Sequence, residues 1–370
     1  MITRREFLET TIAAAALPSQ SSGPSSATLS ERSNGVPSHL TPLVSKREGE
    51  LTSGSIATWE VRRMSDRKNA AKGSVAQDLE RAKSNFVEHK VNQGQGFLYV
   101  RDYPGAGPAF VGLHGFPDNL HIFDELAPHL ERAGRRVITF DFLGFGASDK
   151  SPKFEYSFEQ QLADLEAVVD TLKLDQIVPL AHDAGGPTAV NYALNHPERT
   201  ARVCLLNCFY GSAPTLKLPE FIELFATASL AALTREILSA PQQFAWILEF
   251  QRERFQAALP ESQARHYQDF LGPIIDQNFR QKPSAGPAYA RMTSLAFEEV
   301  RKNDERVAEL GRLKIPFQLI WGVLDPYLNK GVAEDLASKV QQSTVVFLSS
   351  GHWPQIDQPE DVARAMLSGD

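Results

Sequence analysis

The stretch Gln176-Ile177-Val178-Pro179-Leu180-Ala181-His182-Asp183-Ala184-Gly185-Gly186 decides the architecture. Ile177 to Leu180 form an apolar run of the kind a fully buried strand uses. One acidic residue follows, set among small residues, and then Pro187 to Asn195 reads as a helix. Strand, tight turn and helix in that order form the elbow that lifts a nucleophile clear of a sheet. Small residues at 181, 185 and 186 suit it, because the turn is strained and strand and helix pack closely. The residue at the tip of such a turn is normally Ser; here it is Asp183. The plainer alternative is an aspartate capping the following helix.

Working outward, the same alternation recurs. Strands are expected at 86–91, 96–101, 109–113, 136–140, 176–180, 201–206, 316–321 and 344–348. Helices are expected at 123–133, 158–172, 187–195, 332–339 and from Pro359 onward. Alternating strands and helices predict a mostly parallel eight-stranded sheet with helices on both faces. The alternation stops between Pro214 and Leu310, where the chain reads as helices broken at Pro241, Pro260, Pro273, Pro283 and Pro287. The expected organisation is an α/β core at 86–213 and 311–370, with a helical lid at 214–310 between the sixth and seventh strands.

In open α/β sheets the active site lies at the carboxyl ends of the strands. Asp325 follows the strand ending at Trp321, and His352 follows the strand ending at Leu348. Taken alone, Asp325 would be read as a turn residue, and His352 is one of nine histidines. Together with Asp183 they give the order nucleophile, acid, histidine, each at a strand end, which is triad logic with an acidic nucleophile. Leu113-His114-Gly115-Phe116-Pro117 follows the third strand. A loop at that place supplies one oxyanion-hole N–H, and the residue after the nucleophile supplies the other. These are Phe116 and Ala184, with His114, Gly115 and Pro117 shaping the loop and His114 read as a structural hydrogen-bonding residue.

The chain carries 42% hydrophobic and 22% charged residues and a net charge of −7. No basic block stands out in its body, which argues against a nucleic-acid partner. No apolar run reaches the roughly 18 residues of a membrane span. No metal-ligand cluster or phosphate-binding glycine loop is visible, so no cofactor is implied. Cys204 and Cys208, placed on one strand, would lie about 13 Å apart, beyond the roughly 7 Å a disulfide spans, and read as buried thiols.

At the N-terminus, Thr3-Arg4-Arg5-Glu6-Phe7-Leu8 precedes Ile12 to Leu17. Residues 1–17 thus resemble a twin-arginine export signal, with a frayed helix of a cytoplasmic protein as the alternative. Residues 18–85 read as a linker: Ser, Pro, Gly and Thr up to about residue 50 bury too little apolar surface to offset ordering entropy. Beyond that the stretch is polar, with a possible short helix near 74–83.

From residue 86 onward the sequence resembles the α/β-hydrolase superfamily, in its epoxide hydrolase and haloalkane dehalogenase branch. The resemblance rests on His114-Gly115-Phe116-Pro117, Asp141 to Lys150, His182-Asp183-Ala184-Gly185-Gly186 and Gly351-His352-Trp353-Pro354. It implies an α/β-hydrolase fold and attack by the Asp183 carboxylate on a saturated carbon, giving an alkyl ester. His352, oriented by Asp325, then activates water to hydrolyse that ester. The expected partners are a small hydrophobic organic substrate and water. The branches differ in assisting the leaving group. Dehalogenases place a Trp after the nucleophile, as epoxide hydrolases usually do, and fluoroacetate-type enzymes an Arg; Ala184 departs from all of these. Epoxide hydrolases use two lid tyrosines as acids, and Tyr210, Tyr267 and Tyr289 are the candidates, against simple packing for each. Epoxide hydrolysis to a diol is therefore the leading expectation. Haloalkane dehalogenation, another hydrolase or lyase activity, and a non-catalytic small-molecule binder are the alternatives.

Overall fold

A computed structural model describes residues 86–368. The expected export signal, the linker and the helix near 74–83 lie outside the described residues. Eight strands form one sheet: β1 (Val87–Asn92), β2 (Phe97–Tyr103), β3 (Ala106–Leu113), β4 (Arg135–Phe140), β5 (Ile177–Asp183), β6 (Val203–Cys208), β7 (Phe317–Gly322) and β8 (Ser343–Leu348). Their order is β1-β2-β4-β3-β5-β6-β7-β8. β2 runs antiparallel to both its neighbours, and the remaining pairs are parallel. β5 and β6 are buried along most of their length, which explains why they read as apolar runs rather than alternating ones.

Core helices are α1 (Ala127–Arg132), α2 (Phe158–Thr171) and α3 (Gly185–Asn195). The helix expected from Phe123 begins later. A 3-10 turn occupies Leu120–Phe123, and α1 starts where Pro128 fills its first turn. Proline lacks the N–H that an interior position needs and is tolerated there.

Between β6 and β7 the chain forms α4 (Glu220–Ala226), α5 (Ala231–Ser239), α6 (Pro241–Gln256), α7 (Glu261–His266), α8 (Gly272–Arg280), α9 (Gly286–Ser294) and α10 (Ala296–Leu310). A π-helical turn, Tyr267–Leu271, joins α7 to α8. Pro241, Pro273 and Pro287 sit in helix first turns, so the breaks in the sequence mark helix starts. After β7 come α11 (Lys330–Lys339), α12 (Pro354–Asp357) and α13 (Pro359–Leu367). Cys204 and Cys208 are free and buried. Among the described residues, no helix is long and apolar enough to cross a membrane.

Candidate active site

The end of β5 is built as an elbow. Pairing with β6 slips by one residue between His182 and Asp183, and Asp183 takes φ of 50°, a left-handed conformation that a residue with a Cβ adopts at a cost. The surroundings explain the small residues. A Cβ on Gly185 would meet the Leu113 carbonyl, one on Gly186 the Phe209 carbonyl, and one on Gly115 the Asp183 carboxylate itself. The loop after β3 and the Asp183 carboxylate therefore touch across a glycine.

His352 joins the two carboxylates. Its Nδ1 lies 2.6 Å from Asp325 Oδ2 and its Nε2 lies 3.8 Å from Asp183 Oδ1. The short bond places the proton on Nδ1 and leaves Nε2 facing Asp183. Asp325 is buried and saturated: Oδ1 accepts the Tyr327 and Leu328 amides, and Oδ2 also accepts Asn207 Nδ2. Burial pushes its carboxyl up, but the charge and hydrogen bond of His352 outweigh that, and it sits below the usual range. Burial alone would lower His352, yet the charge and hydrogen bond of Asp325, with Asp183 and Asp118 behind, raise it. Desolvation raises Asp183, offset in part by His352 and His182.

Ala184 N–H donates to the Asp183 carboxylate, and Phe116 lines the same cavity as Asp183. His114 is buried, with Nδ1 against the Gly115 carbonyl at 2.6 Å and Nε2 accepting from the Phe142 amide at 3.1 Å. It thus ties the oxyanion loop to the loop after β4, with no path to the reacting atoms.

The cavity over Asp183 has a volume of about 60 Å³. Its wall is mainly apolar, with Phe209 just after β6 and Leu218, Leu248 and Ile275 from the lid. The three candidate tyrosines part company here. Tyr267 lines the cavity, is fully buried and has no partner for its hydroxyl; desolvation holds that phenol well above its usual range. Tyr289 does not line it: the ring packs among Phe221, Phe225, Phe244 and Phe279. Tyr210 does not line it either, and donates instead to Asn191 Oδ1 between α3 and α10. An aromatic in a helical pattern carries no mark of which face will meet a cavity, so sequence could not separate these three.

Four polar residues that sequence reading passed over hold the frame. Asp118, directly after His114-Gly115-Phe116-Pro117, is buried; its Oδ2 accepts Trp353 Nε1 at 2.8 Å and lies 3.5 Å from His182 Nδ1. His182 Nε2 donates to the His352 carbonyl at 2.8 Å. Asn207, at φ of 39°, bonds both Gly322 N–H and Gly322 C=O as well as Asp325. Asn278, on α8, donates to the Pro117 and Asp118 carbonyls and accepts from Gly146 N–H. Asp118, in the loop after β3, and Asn207, next to the end of β6, could have been flagged by their place at strand ends; Asn278 gave no signal. Among the described residues, no group of three His, Cys, Asp or Glu is arranged to hold a metal ion.

A mostly parallel eight-stranded sheet with an elbow at β5, an acid after β7 and a histidine after β8 defines an α/β-hydrolase. The family profile described as alpha/beta hydrolase fold matches residues 108–359, and the chain belongs to that family and is one of its hydrolases. Among relatives, it is 38% identical over 121 residues to bifunctional epoxide hydrolase 2 of Sus scrofa, a match spanning 32% of this chain and only 22% of that protein. It is 27% identical over 294 residues to the putative hydrolase LipZ of Mycobacterium tuberculosis, covering 74% of this chain and 92% of that one. A haloalkane dehalogenase of Mycolicibacterium paratuberculosis is 24% identical, covering 73% and 86%. Haloalkane dehalogenase DbeA of Bradyrhizobium elkani shares the fold, with a TM-score of 0.60 at 19% identity over 77% of this chain and 97% of that one.

Proposed function

We propose that the protein hydrolyses an electrophilic saturated carbon compound through an ester on Asp183, and that the compound is an epoxide opened to a diol. The observation that carries this reading is the unpartnered Tyr267 phenol, buried in the wall of the cavity that holds Asp183 and His352. A neutral donor in the wall of an apolar cavity suits an oxirane oxygen, which gains negative charge as the ring opens. The Asp183 carboxylate attacks one ring carbon, the C–O bond breaks, and the Tyr267 proton goes to the departing oxygen. His352 then takes a proton from water at Nε2 while Asp325 stabilises the imidazolium formed. The water oxygen bonds to the ester carbonyl carbon and the Ala184 and Phe116 amides stabilise the oxyanion; the acyl C–O bond then breaks, the leaving alkoxide takes the proton from His352, the diol leaves, and the proton on the regenerated Asp183 carboxyl returns to the Tyr267 phenolate.

The dehalogenase alternative is less well supported. A halide needs N–H donors of a cavity Trp or Asn; Ala184 offers no side-chain donor, and the Trp353 indole is already spent on Asp118. The test is intact-protein mass spectrometry of His352→Gln with a panel of epoxides and haloalkanes. An adduct equal in mass to the whole epoxide, absent in Asp183→Asn, supports the reading. An adduct equal to the alkyl group with halide release replaces it with the dehalogenase reading. We also propose export by the Arg4-Arg5 signal; Arg4→Lys with Arg5→Lys should leave the protein in the cytoplasm, and unchanged export would reject the signal.

A further inference from the structure

We propose that Asp276 is a specificity-determining residue: it masks Arg252, a cation on the cavity wall, and so confines the enzyme to small uncharged electrophiles. The proposal rests on the epoxide reading for the reaction but not for the binding it predicts. Arg252 lines the cavity and carries the one permanent positive charge among the lining residues. A guanidinium in such a wall would ordinarily recruit a substrate carboxylate through paired N–H donors. Here the guanidinium, which has five N–H donors, already gives one from each Nη to a protein carboxylate, and those carboxylates offset its charge. Nη2 donates to Asp276 Oδ1 at 3.0 Å and Nη1 to Glu249 Oε2 at 3.0 Å.

The two partners are unequal. Glu249 stands one turn away on the same helix with its side chain 58% exposed, whereas Asp276 reaches across from α8 and is 25% exposed. A solvated pair is weak and an enclosed one stronger, so Asp276 is the effective mask. Its second oxygen takes Arg280 at 2.9 Å, and the series Glu249, Arg252, Asp276, Arg280 closes with no net charge. The remaining polar wall is equally committed. Gln251 bonds Phe221 N–H and the Tyr327 hydroxyl, and Tyr327 donates to Glu220. A second polar function on a substrate would be buried with nothing to receive it. The Arg252 charge is felt at the Tyr267 phenol, so a carboxylate carried next to an oxirane oxygen held there lies within its field. The volume of about 60 Å³ suits a small substrate.

The test uses the full chain and two readouts. Binding of propionate and of propionamide is measured by competition and thermal shift. The kcat/KM for oxirane-2-carboxylate is compared with that for methyloxirane. In Asp276→Asn, propionate should bind at least about tenfold more tightly than in the wild type, and the carboxylate-to-methyl ratio should rise by a similar factor. Both gains should vanish in Arg252→Gln/Asp276→Asn, and propionamide should be indifferent throughout. Asp276→Ser serves if the Asn variant does not fold. Equal propionate binding in the wild type and the Asp276 variant, or a gain that survives without Arg252, overturns the mask. If no variant opens any oxirane, the epoxide reading fails, while propionate binding still decides the proposal.

Discussion

At the scale of single residues, the contact between Gly115 and the Asp183 carboxylate is a tight constraint on the site. A methyl group at 115 has no space, so Gly115→Ala must move either the oxyanion loop or the nucleophile. Displacements of that order cost about 10²-fold in rate, and kcat/KM should fall by at least that much while the circular dichroism spectrum stays native. Asp118 permits a prediction about pH. His352 works as a base only when neutral, so kcat falls as pH drops through its pKa. The groups whose charge reaches His352 are Asp325, Asp183, Asp118 and Asp357, and its value is raised. Asp183 is uncharged as the ester, but Asp325 and Asp118 still act on His352, so the acid limb of kcat should lie above the ordinary imidazole value of about 6.5. Asp118→Asn removes one of the charges that raise it and should shift that limb to lower pH. A limb unmoved in the variant would show that Asp118 only packs. Asp183, raised by desolvation, should set a second limb in kcat/KM, above the ordinary carboxylate range, because the nucleophile must be ionised to attack.

At the scale of elements, the catalytic frame is held by polar stitches between strand ends. Asn207 closes β6 onto β7 through both backbone groups of Gly322 and steadies Asp325. Asn207→Ala leaves those buried groups unpaired and should cost about 2–4 kcal/mol, read from the urea midpoint, with kcat reduced as well. Asn278 does the same between α8 and the oxyanion loop, so the lid helps to shape the loop as well as covering the cavity. The eight strands were legible because period and length mark them, and the meeting of Asp183, Asp325 and His352 was legible because each stands at or just past a strand end. The stitches were not. A buried asparagine on a lid helix resembles any polar helix residue until the loop it reaches is known. Tyr210 and Tyr289 were candidates for the same reason in reverse: their residue type was visible, but their direction depended on how the lid helices turn. The π-helical turn that begins at Tyr267 and accompanies its placement in the cavity leaves no trace in apolar spacing.

At the scale of the whole molecule, the buried apolar core of the described residues runs from Val91 to Met366. A chain begun at Ser74 should then keep its turnover and unfold within about 2 °C of the full-length protein by calorimetry; a larger loss would assign the preceding residues a part in the fold. The lid enters by one insertion between β6 and β7, so changes in its helices can remodel the cavity while leaving the sheet that carries Asp183, Asp325 and His352 unaltered.

The left-handed backbone at Asp183 has an outcome for laboratory evolution. Strain at such a position is worth on the order of 1–3 kcal/mol, and glycine would relieve much of it. Asp183→Gly should thus melt higher than the parent while turning over nothing. A library screened for heat resistance alone would favour losing the nucleophile, and only a screen that also demands product would retain it.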